Sequence, residues 1–246
     1  MSTLTQFKER TLSTTQDGGA SPRLPKLMIG MPIGTGTLPW PTALSLMNTV
    51  VACKEENIPC TLEVVAGCSV VTWARSAIVA SFLKSDCTHL FWIDSDMVWT
   101  LDDFFRLVGF GAVLDVVGAT YPLKKLSPMT FIVSHVGKPG EYEMNRLGCI
   151  KIRGMGLGFT IMKREVVEKV AVGKPIRRDP VTNAEIPDVF RIDHEGEDIA
   201  FMTDARAAGY DVWLDPSISL GHIGPMVFKG DVLAAFGLSH LAKEKK

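Results

Sequence analysis

The sequence has no excess of positive charge, and its cysteines lack the spacing of a disulfide framework or a zinc site. Its 246 residues carry a formal net charge of −1, so the composition gives no indication of a nucleic-acid partner. The five cysteines form an odd number without a Cys-x-x-Cys pair. They are therefore predicted to be reduced thiols of a cytoplasmic protein, and not a disulfide framework or a zinc site.

Long apolar runs are also missing. No run reaches the roughly 20 residues that a bilayer crossing needs, because Asp94, Asp96 and Asp115 interrupt the longest candidates. Residues 1–23 are polar and lack the apolar core of a signal peptide. We therefore expect no membrane span, a flexible polar tail over residues 1–25 and a single domain over residues 26–246.

The first half of the sequence alternates short apolar runs with helical patterns. Residues 26–30, 61–65 and 89–93 have the length and composition of strands. Helices are predicted between them, over residues 41–57 and 73–84. This order predicts an α/β fold in which a mostly parallel central sheet has helices on both faces. Ligands of such sheets bind at the carboxyl ends of the strands.

The second half is less regular and predicts a mixed extension of the sheet. Asp102 and Asp103 open a predicted helix, where the helix dipole stabilises them. Residues 173–188 contain three prolines and mixed charges, which predicts a mobile loop. Strands are predicted at 131–133, 149–152, 158–162, 212–214 and 217–220, and helices at 164–170 and 197–208.

An acidic pair, Asp94 and Asp96, follows the apolar run of residues 89–93 with Ser95 between its members. In extended backbone both side chains point the same way, with Cα atoms roughly 6.5 Å apart. The pair can therefore bracket one hard cation such as Mg²⁺ or Mn²⁺. Capping of the following turn by Asp94, with Asp96 solvated, is the alternative interpretation.

His222 is the second candidate, because Gly221 and Gly224 flank it and let a ligand approach the backbone. It is expected to follow the predicted strand at 217–220. A neutral imidazole is a good ligand for Mn²⁺. A lone histidine is more often structural, and this second interpretation stays open.

Acidic and glycine-rich segments supply two further candidates. Residues 193–198 contain four acids before an apolar helix, which is more than helix capping requires. A carboxylate held there at the rim of a pocket suits the removal of a proton from an acceptor hydroxyl. Residues 154–159 lack the spacing and context of a dinucleotide fingerprint. They indicate either a plain turn or a tight backbone surface against a flat ligand.

These four segments follow one another in the order that is typical of one enzyme family. Asp94-Ser-Asp96, the glycines of residues 154–158, Glu197-Asp198 and His222 resemble the motifs of GT-A glycosyltransferases, especially the family-two-like enzymes. The resemblance covers roughly residues 26–225. The chain is also similar to compact glycosyltransferase-like proteins of bacteriophages. The candidate acceptors are therefore a glycan and a modified nucleic-acid base.

The resemblance implies a GT-A fold and the transfer of a sugar from a nucleotide-diphosphate donor, with a UDP-sugar favoured, to an acceptor hydroxyl. Mn²⁺ or Mg²⁺ is the implied cofactor. Asp96 and His222 would bind the metal directly, and Asp94 would bind the ribose or the metal's water shell. Asp198 would be the general base of an inverting enzyme, and Glu197 would help to hold the acceptor.

Contacts to the donor are implied in several segments. Residues 31–37 follow the first strand, where the family has its base-binding loop. Arg75 lies in Trp73-Ala-Arg-Ser76, which is similar to the family's Ala-Arg-Asn segment. Lys229 is either a second positive charge at the diphosphate or a solvated lysine. The residues expected at the donor are Pro32, Ile33, Gly34, Arg75, Asp94, Ser95, Gly156 and Lys229.

Three other functions are alternatives, and the first two use similar folds. A nucleotidyltransferase would carry a basic, glycine-rich loop after the first strand, whereas residues 31–37 contain no basic residue. A catalytically inactive nucleotide-sugar binding module would be expected to have lost some of these motifs, and all are present. A metal-dependent hydrolase is a weaker alternative, because one histidine and an acidic pair make a sparse site for activating water.

Overall fold

The computed structural model describes residues 25–125, 128–138, 140–179, 182–192 and 194–241. The tail predicted over residues 1–25 lies outside these ranges except for Pro25, and Pro180 and Asp193 lie outside them as well. Within the described ranges, no helix is long and apolar enough to cross a membrane.

The alternation predicted for the first half is confirmed. β1 runs through Ile33, farther than expected, so the loop predicted at 31–37 begins only at Gly34. The elements of this half are β1 (Leu27–Ile33), α1 (Trp40–Glu55), β2 (Cys60–Ala66), α2 (Val71–Lys84) and β3 (His89–Ile93).

The second half contains the helices that the sequence predicts, and several very short strands. The helix after β4 begins with a capping box in which Asp103 N–H donates to the Thr100 side chain. The elements are β4 (Met97–Val98), α3 (Leu101–Gly111), β5 (Val116–Gly118), β6 (Val133–His135), β7 (Ile150–Met155), β8 (Phe159–Lys163), α4 (Arg164–Ala171), β9 (Ile176–Arg178), β10 (Glu185–Pro187), α5 (Glu197–Ala207), β11 (Val212–Leu214), β12 (Gly221–Ile223), β13 (Val227–Lys229) and α6 (Val232–Ala235).

Two predictions in this half are wrong. Residues 173–188 are not a plain loop, because β9 and β10 pair as an antiparallel hairpin whose mixed charges meet across the strands, as in the 3.3 Å pair of Arg178 and Glu185. Residues 217–220 are not a strand. The Asp215 side chain accepts hydrogen bonds from the Ser217 backbone and hydroxyl, which forms a turn there. The strand begins after it, at β12, and contains His222.

In the described part of the chain, eight strands form the central sheet, in the order β2-β1-β3-β8-β5-β11-β7-β6. Six of them point the same way, and β8 and β7 run in the opposite direction. α1 and α3 pack on one face, and α2, α4 and α5 pack on the other. The predicted α/β fold, with a mostly parallel sheet flanked by helices on both faces, is therefore confirmed. It is the arrangement that the resemblance to GT-A enzymes implies.

Helix α1 buries polar residues and exposes apolar ones. Thr42, Ser45 and Thr49 face the core, whereas Met47 is 66% exposed. Hydrogen bonds explain this orientation. The Ser45 hydroxyl donates to the Trp99 carbonyl at 3.0 Å, and the Trp99 indole N–H donates to Thr49 Oγ1 at 2.9 Å. The segment between β4 and α3 therefore fixes the rotation of α1.

Replacement of Thr49 by valine tests this account. The Thr49→Val change keeps the side-chain shape but leaves the buried indole N–H of Trp99 without an acceptor, so we expect a loss of about 1–3 kcal/mol in the free energy of unfolding. Thr61→Val on the exposed face of β2 is the control, and it is expected to change stability by less than about 0.5 kcal/mol. Denaturant unfolding measures both. Equal stability of the two variants would contradict the role given to Trp99.

Candidate active site

A cavity of about 360 Å³ opens where parallel strands of the sheet end. β1, β2, β3 and β5 each contribute residues that follow their carboxyl ends, and the start of α5 contributes Glu197 and Asp198. This is the edge at which ligands of parallel α/β sheets bind. The lining residues are Pro32, Gly34, Cys68, Ser69, Val71, Arg75, Asp94, Ser95, Asp96, Tyr121, Ile132, Glu197, Asp198 and His222.

The acidic pair lies in a turn, not in extended backbone as the sequence predicts. Asp94 N–H donates to the Gly158 carbonyl at 3.0 Å, and Met97 N–H donates back to the Asp94 carbonyl at 3.2 Å. β3 therefore ends at Ile93, and the chain reverses before the short strand β4. As a consequence, Asp94 and Asp96 contact different groups.

Arg75 lies between Asp94 and the two acids that open α5. Its guanidinium is 2.9 Å from Asp94 Oδ1 and 3.4 Å from Glu197 Oε1, and it also contacts Asp198 Oδ1. The side chain is almost fully buried, and the Trp92 ring is 5.9 Å away. A buried guanidinium needs such anionic partners. Arg75 thus joins the first half of the chain to the second at the cavity wall.

Asp198 has a second partner in the glycine-rich segment. Leu157 N–H donates to its Oδ2 at 3.1 Å, so each carboxylate oxygen has a contact. The α5 N-terminus adds favourable dipole interaction for Asp198 and Glu197. Gly196, which precedes the helix, has a φ of 92° that a side chain would strain. Glu197 and Asp198 are therefore held in fixed positions at the start of α5.

The glycines of the same segment make room for Tyr121 and Asp94. A Cβ on Gly158 would lie 2.7 Å from Asp94 Oδ2 and 2.8 Å from the Tyr121 hydroxyl, and one on Gly156 would collide with that hydroxyl as well. The Tyr121 hydroxyl donates to Asp94 Oδ2 at 3.3 Å. Burial, and next the charge of Asp94, raise the pKa of Tyr121 well above its ordinary value. Tyr121 therefore stays a neutral hydrogen-bond donor.

Asp96 faces His222 and Lys124. Its Oδ2 is 3.3 Å from His222 Nε2 and accepts a hydrogen bond from Lys124 Nζ at 2.5 Å. Burial alone would raise the pKa of Asp96, but the hydrogen bonds and charges of His222 and Lys124 outweigh it and lower that pKa. Asp96 is therefore a carboxylate at neutral pH. Lys124 next to it is a cation, and His222 can bind a proton or a metal ion.

The orientation of His222 is fixed from the other side of its ring. Nδ1 lies 2.8 Å from the Pro122 carbonyl oxygen, and a carbonyl only accepts, so Nδ1 carries the proton. In the neutral ring, Nε2 then has its lone pair directed at Asp96. Two electron-rich atoms at 3.3 Å attract each other only through a proton or a cation between them. Metal-binding histidines commonly have such an outer hydrogen bond.

The charge of the cavity also suits a cation. Among the residues that the structure describes, four carboxylates line the cavity and two positive charges, Arg75 and Lys124, contact them, so negative charge exceeds positive by two. Within the described ranges, however, no group of three or more His, Cys, Asp or Glu residues is arranged to hold a metal ion. Asp94, also predicted at the metal, contacts Arg75 and Tyr121 in this structure, and its part in metal binding stays a prediction. A metal at Asp96 and His222 needs further oxygen ligands from solvent or substrate.

Nine of the residues predicted for the site line the cavity, and three do not. Ile33 is buried in the core, Gly156 packs beneath Tyr121, and Lys229 lies exposed on β13. Their contacts with a donor stay a prediction. The predicted residues that line the cavity are Pro32, Gly34, Arg75, Asp94, Ser95, Asp96, Glu197, Asp198 and His222.

Sequence reasoning missed Tyr121 and Lys124. Both follow β5, which has three residues and gives too short an apolar run to identify as a strand. The pattern Ala119-Thr-Tyr121 after two valines and a glycine is the signal that was available. Cys68 and Ser69 follow β2 and were missed for want of any chemical pattern.

Comparison with known proteins gives a likeness in fold. No protein-family model matches the sequence, and no curated protein matches it significantly. Among solved structures, A197 from STIV superposes with a TM-score of 0.51 at 22% identity, covering 81% of this chain and 86% of that one. The two chains share a fold.

Two further structures are glycosyltransferases by name. GalNAc-T7 with UDP, GalNAc and Mn²⁺ has a TM-score of 0.48 at 12% identity, covering 82% of this chain and 44% of that one. A glycosyltransferase involved in the glycosylation of the major capsid of PBCV-1 has a TM-score of 0.32 at 11% identity, covering 58% and 63%. Both scores are too low to carry an argument about the activity of this chain.

Proposed function

We propose that the protein is a glycosyltransferase that moves a sugar from a nucleotide-diphosphate donor, a UDP-sugar in the first instance, to an acceptor hydroxyl. The observation that carries the proposal is the convergence of Asp96, His222, Glu197 and Asp198 on one cavity at the carboxyl ends of parallel strands. These residues lie far apart in the sequence and are those implied by the resemblance. The cavity volume is in the range of small-molecule sites.

Asp96 and His222 are the residues that would hold Mn²⁺ or Mg²⁺. The fit rests on geometry: the Pro122 carbonyl orients the ring of His222 so that Nε2 lies 3.3 Å from Asp96 Oδ2, and in the neutral ring the Nε2 lone pair is available to a metal. A bound divalent cation would act as a Lewis acid on the diphosphate leaving group. It would also offset the excess negative charge of the cavity wall, which otherwise repels a diphosphate.

Lys124 places a positive charge next to Asp96, where the metal is proposed to bind. Its ammonium binds the same Asp96 oxygen that faces His222, and its side chain is partly exposed. When Asp96 has another cationic partner, the flexible Lys124 side chain is free to turn toward phosphate oxygens. We therefore assign Lys124 to the diphosphate, the role that the sequence suggests for Lys229.

Asp198 is assigned as the general base, with Glu197 beside it at the acceptor. Contacts from Arg75 and Leu157 N–H orient Asp198, and a carboxylate oxygen has lone pairs beyond those two contacts. Removal of the acceptor proton by Asp198 fits an inverting transfer. Both Asp198 oxygens already have partners, which reduces their availability to an acceptor proton. This favours a second candidate function, a nucleotide-sugar binding module without transfer.

A thermal-shift series tests donor binding first. Nucleoside diphosphates are added with and without Mn²⁺, and a UDP complex is expected to raise Tm only when Mn²⁺ is present. Saturation at 100 times Kd stabilises the folded state by about 2.7 kcal/mol, and each kcal/mol shifts Tm by roughly 2–4 °C at this chain length. The proposal fails if no nucleoside diphosphate adds to the effect of Mn²⁺ alone.

A further inference from the structure

The exposed face of α1 carries an apolar stripe with regular spacing. Trp40, Leu44, Met47 and Val51 are all exposed, from 49% at Leu44 to 76% at Trp40. Their spacing of four, three and four residues is that of the a and d positions of a coiled coil. At 100° per residue they fall within a sector of about 60°, opposite the buried polar face.

This exposure is built into the fold. Ser45 and Thr49 on the opposite face are bonded to Trp99, so α1 cannot turn its apolar stripe inward without breaking those hydrogen bonds. The helix also has no charged residue before Lys54. An apolar surface of this extent compares with the largest patch on a typical monomeric protein, and such patches often mark interaction sites.

We propose that this stripe is a homodimer interface, in which α1 packs antiparallel against α1 of a second copy across a twofold axis near Met47. A narrow seam of this kind fits another helix, because helices that lie on membranes present a wider apolar face and cationic flanks. Here Lys54 is followed at once by Glu55 and Glu56, which gives no attraction to anionic lipid.

Self-complementarity favours a second copy as the partner. In the antiparallel arrangement, Met47 lies against Met47 of the second copy, and Leu44 lies near its Val51. Lys54 continues the stripe by three residues and meets the exposed Trp40 ring at the far end, where a cation–π contact stabilises the pair. Every member of the stripe thus has a counterpart of suitable chemistry, as a twofold interface requires.

The size of the surface sets the expected affinity. Trp40, Leu44, Met47, Val50 and Val51 expose on the order of 500 Å² of side chain, against roughly 800 Å² that each partner contributes to a standard interface. We therefore expect a reversible dimer with a Kd of roughly 1–100 µM. The dimer is independent of the proposed transferase activity, because the stripe contributes no residue to the cavity.

Sedimentation equilibrium of the full chain from about 1 to 500 µM measures the association directly. Met47→Glu is expected to raise the dimer Kd by at least about 10-fold, because it buries a charge at the twofold axis. Val172→Glu is the matched control: Val172 is 75% exposed outside α1, and its variant is expected to dimerise like wild type. A wild type that stays monomeric throughout, or equal weakening by both variants, overturns the proposal.

Cross-linking gives a second readout that needs no loss of binding. Under mild oxidation, Met47→Cys is expected to form a covalent dimer at least about 10-fold faster than Val172→Cys or the wild type, because the twofold axis brings the two thiols together. Equal rates overturn the arrangement. Binding of the monomer to vesicles of phosphatidylcholine and phosphatidylserine, without self-association, would assign the stripe to a membrane surface and also overturn it.

Discussion

Replacement of Asp198 by asparagine is expected to lower kcat by about 10²–10⁴-fold while the donor Kd stays near the wild-type value. Asparagine keeps the shape of the side chain and can still accept the hydrogen bond from Leu157 N–H. It removes the basicity that takes the acceptor proton in the transition state. Arg75 retains Asp94 and Glu197 as anionic partners, so the cavity wall is expected to stay in place.

Asp204→Asn is the matched control for this change. Asp204 lies on the same helix, α5, but its carboxylate binds Lys174 at 2.6 Å outside the cavity. Transfer rate and donor Kd are measured for both variants. Near-full turnover of the Asp198 variant would refute the base assignment, and Glu197→Gln would be the next test. A wild-type protein that binds the donor but transfers sugar to none of the acceptor classes tried would support the binding-module alternative.

The Asp96→Ala change is expected to remove metal-dependent donor binding. Loss of an outer partner of a metal ligand costs about 10–100-fold in metal affinity, and loss of a direct ligand is expected to cost at least as much. Calorimetric titration of UDP with and without Mn²⁺ measures the effect. His222→Ala is expected to be milder, because Asp96 keeps Lys124 and its own charge.

The control for the metal prediction is Asp86→Ala. Asp86 also pairs with a lysine, Lys26, at 2.5 Å, but lies exposed outside the cavity. The Asp86→Ala change removes the same type of ion pair and is expected to leave the metal dependence of UDP binding unchanged. If Asp96→Ala binds UDP with unaltered metal dependence, Asp96 and His222 do not form the metal site.

The parts of the fold that the sequence predicts well are those with long, uninterrupted patterns. The apolar run of β3 has the right length and ends in an acidic pair, and the structure confirms its bounds. The run over β5 is only three residues long, so neither that central strand nor Tyr121 and Lys124 behind it could be identified. Short strands depend on their neighbours for stability, and a single sequence does not show the neighbours.

Side-chain orientation was harder to predict than element type. α1 is a helix as its pattern predicts, but Trp99, 50 residues beyond Thr49, decides which face is buried. Arg75 is predicted at the nucleotide, and it lines the cavity with three carboxylates in contact with its guanidinium; its contact with a nucleotide stays a prediction. In both cases the side chain contacts partners remote in sequence, which the local pattern does not show. The donor contacts predicted at the cavity, and the base assignment, stay predictions until the variants are measured.

The position of β8 between β3 and β5 imposes an order on folding. During synthesis β1, β2 and β3 emerge first and can pair with one another, but β3 keeps an unpaired edge until β8, about 65 residues later, has been made. Such an edge invites pairing with other chains. Because the carboxylates of α5 come later still, Arg75 stays without two of its anionic partners until the last third of the chain has been made. Contacts this distant in sequence form slowly, and exposed strand edges of unfinished chains favour aggregation, so we expect the newly made chain to be most prone to aggregation before the cavity is complete.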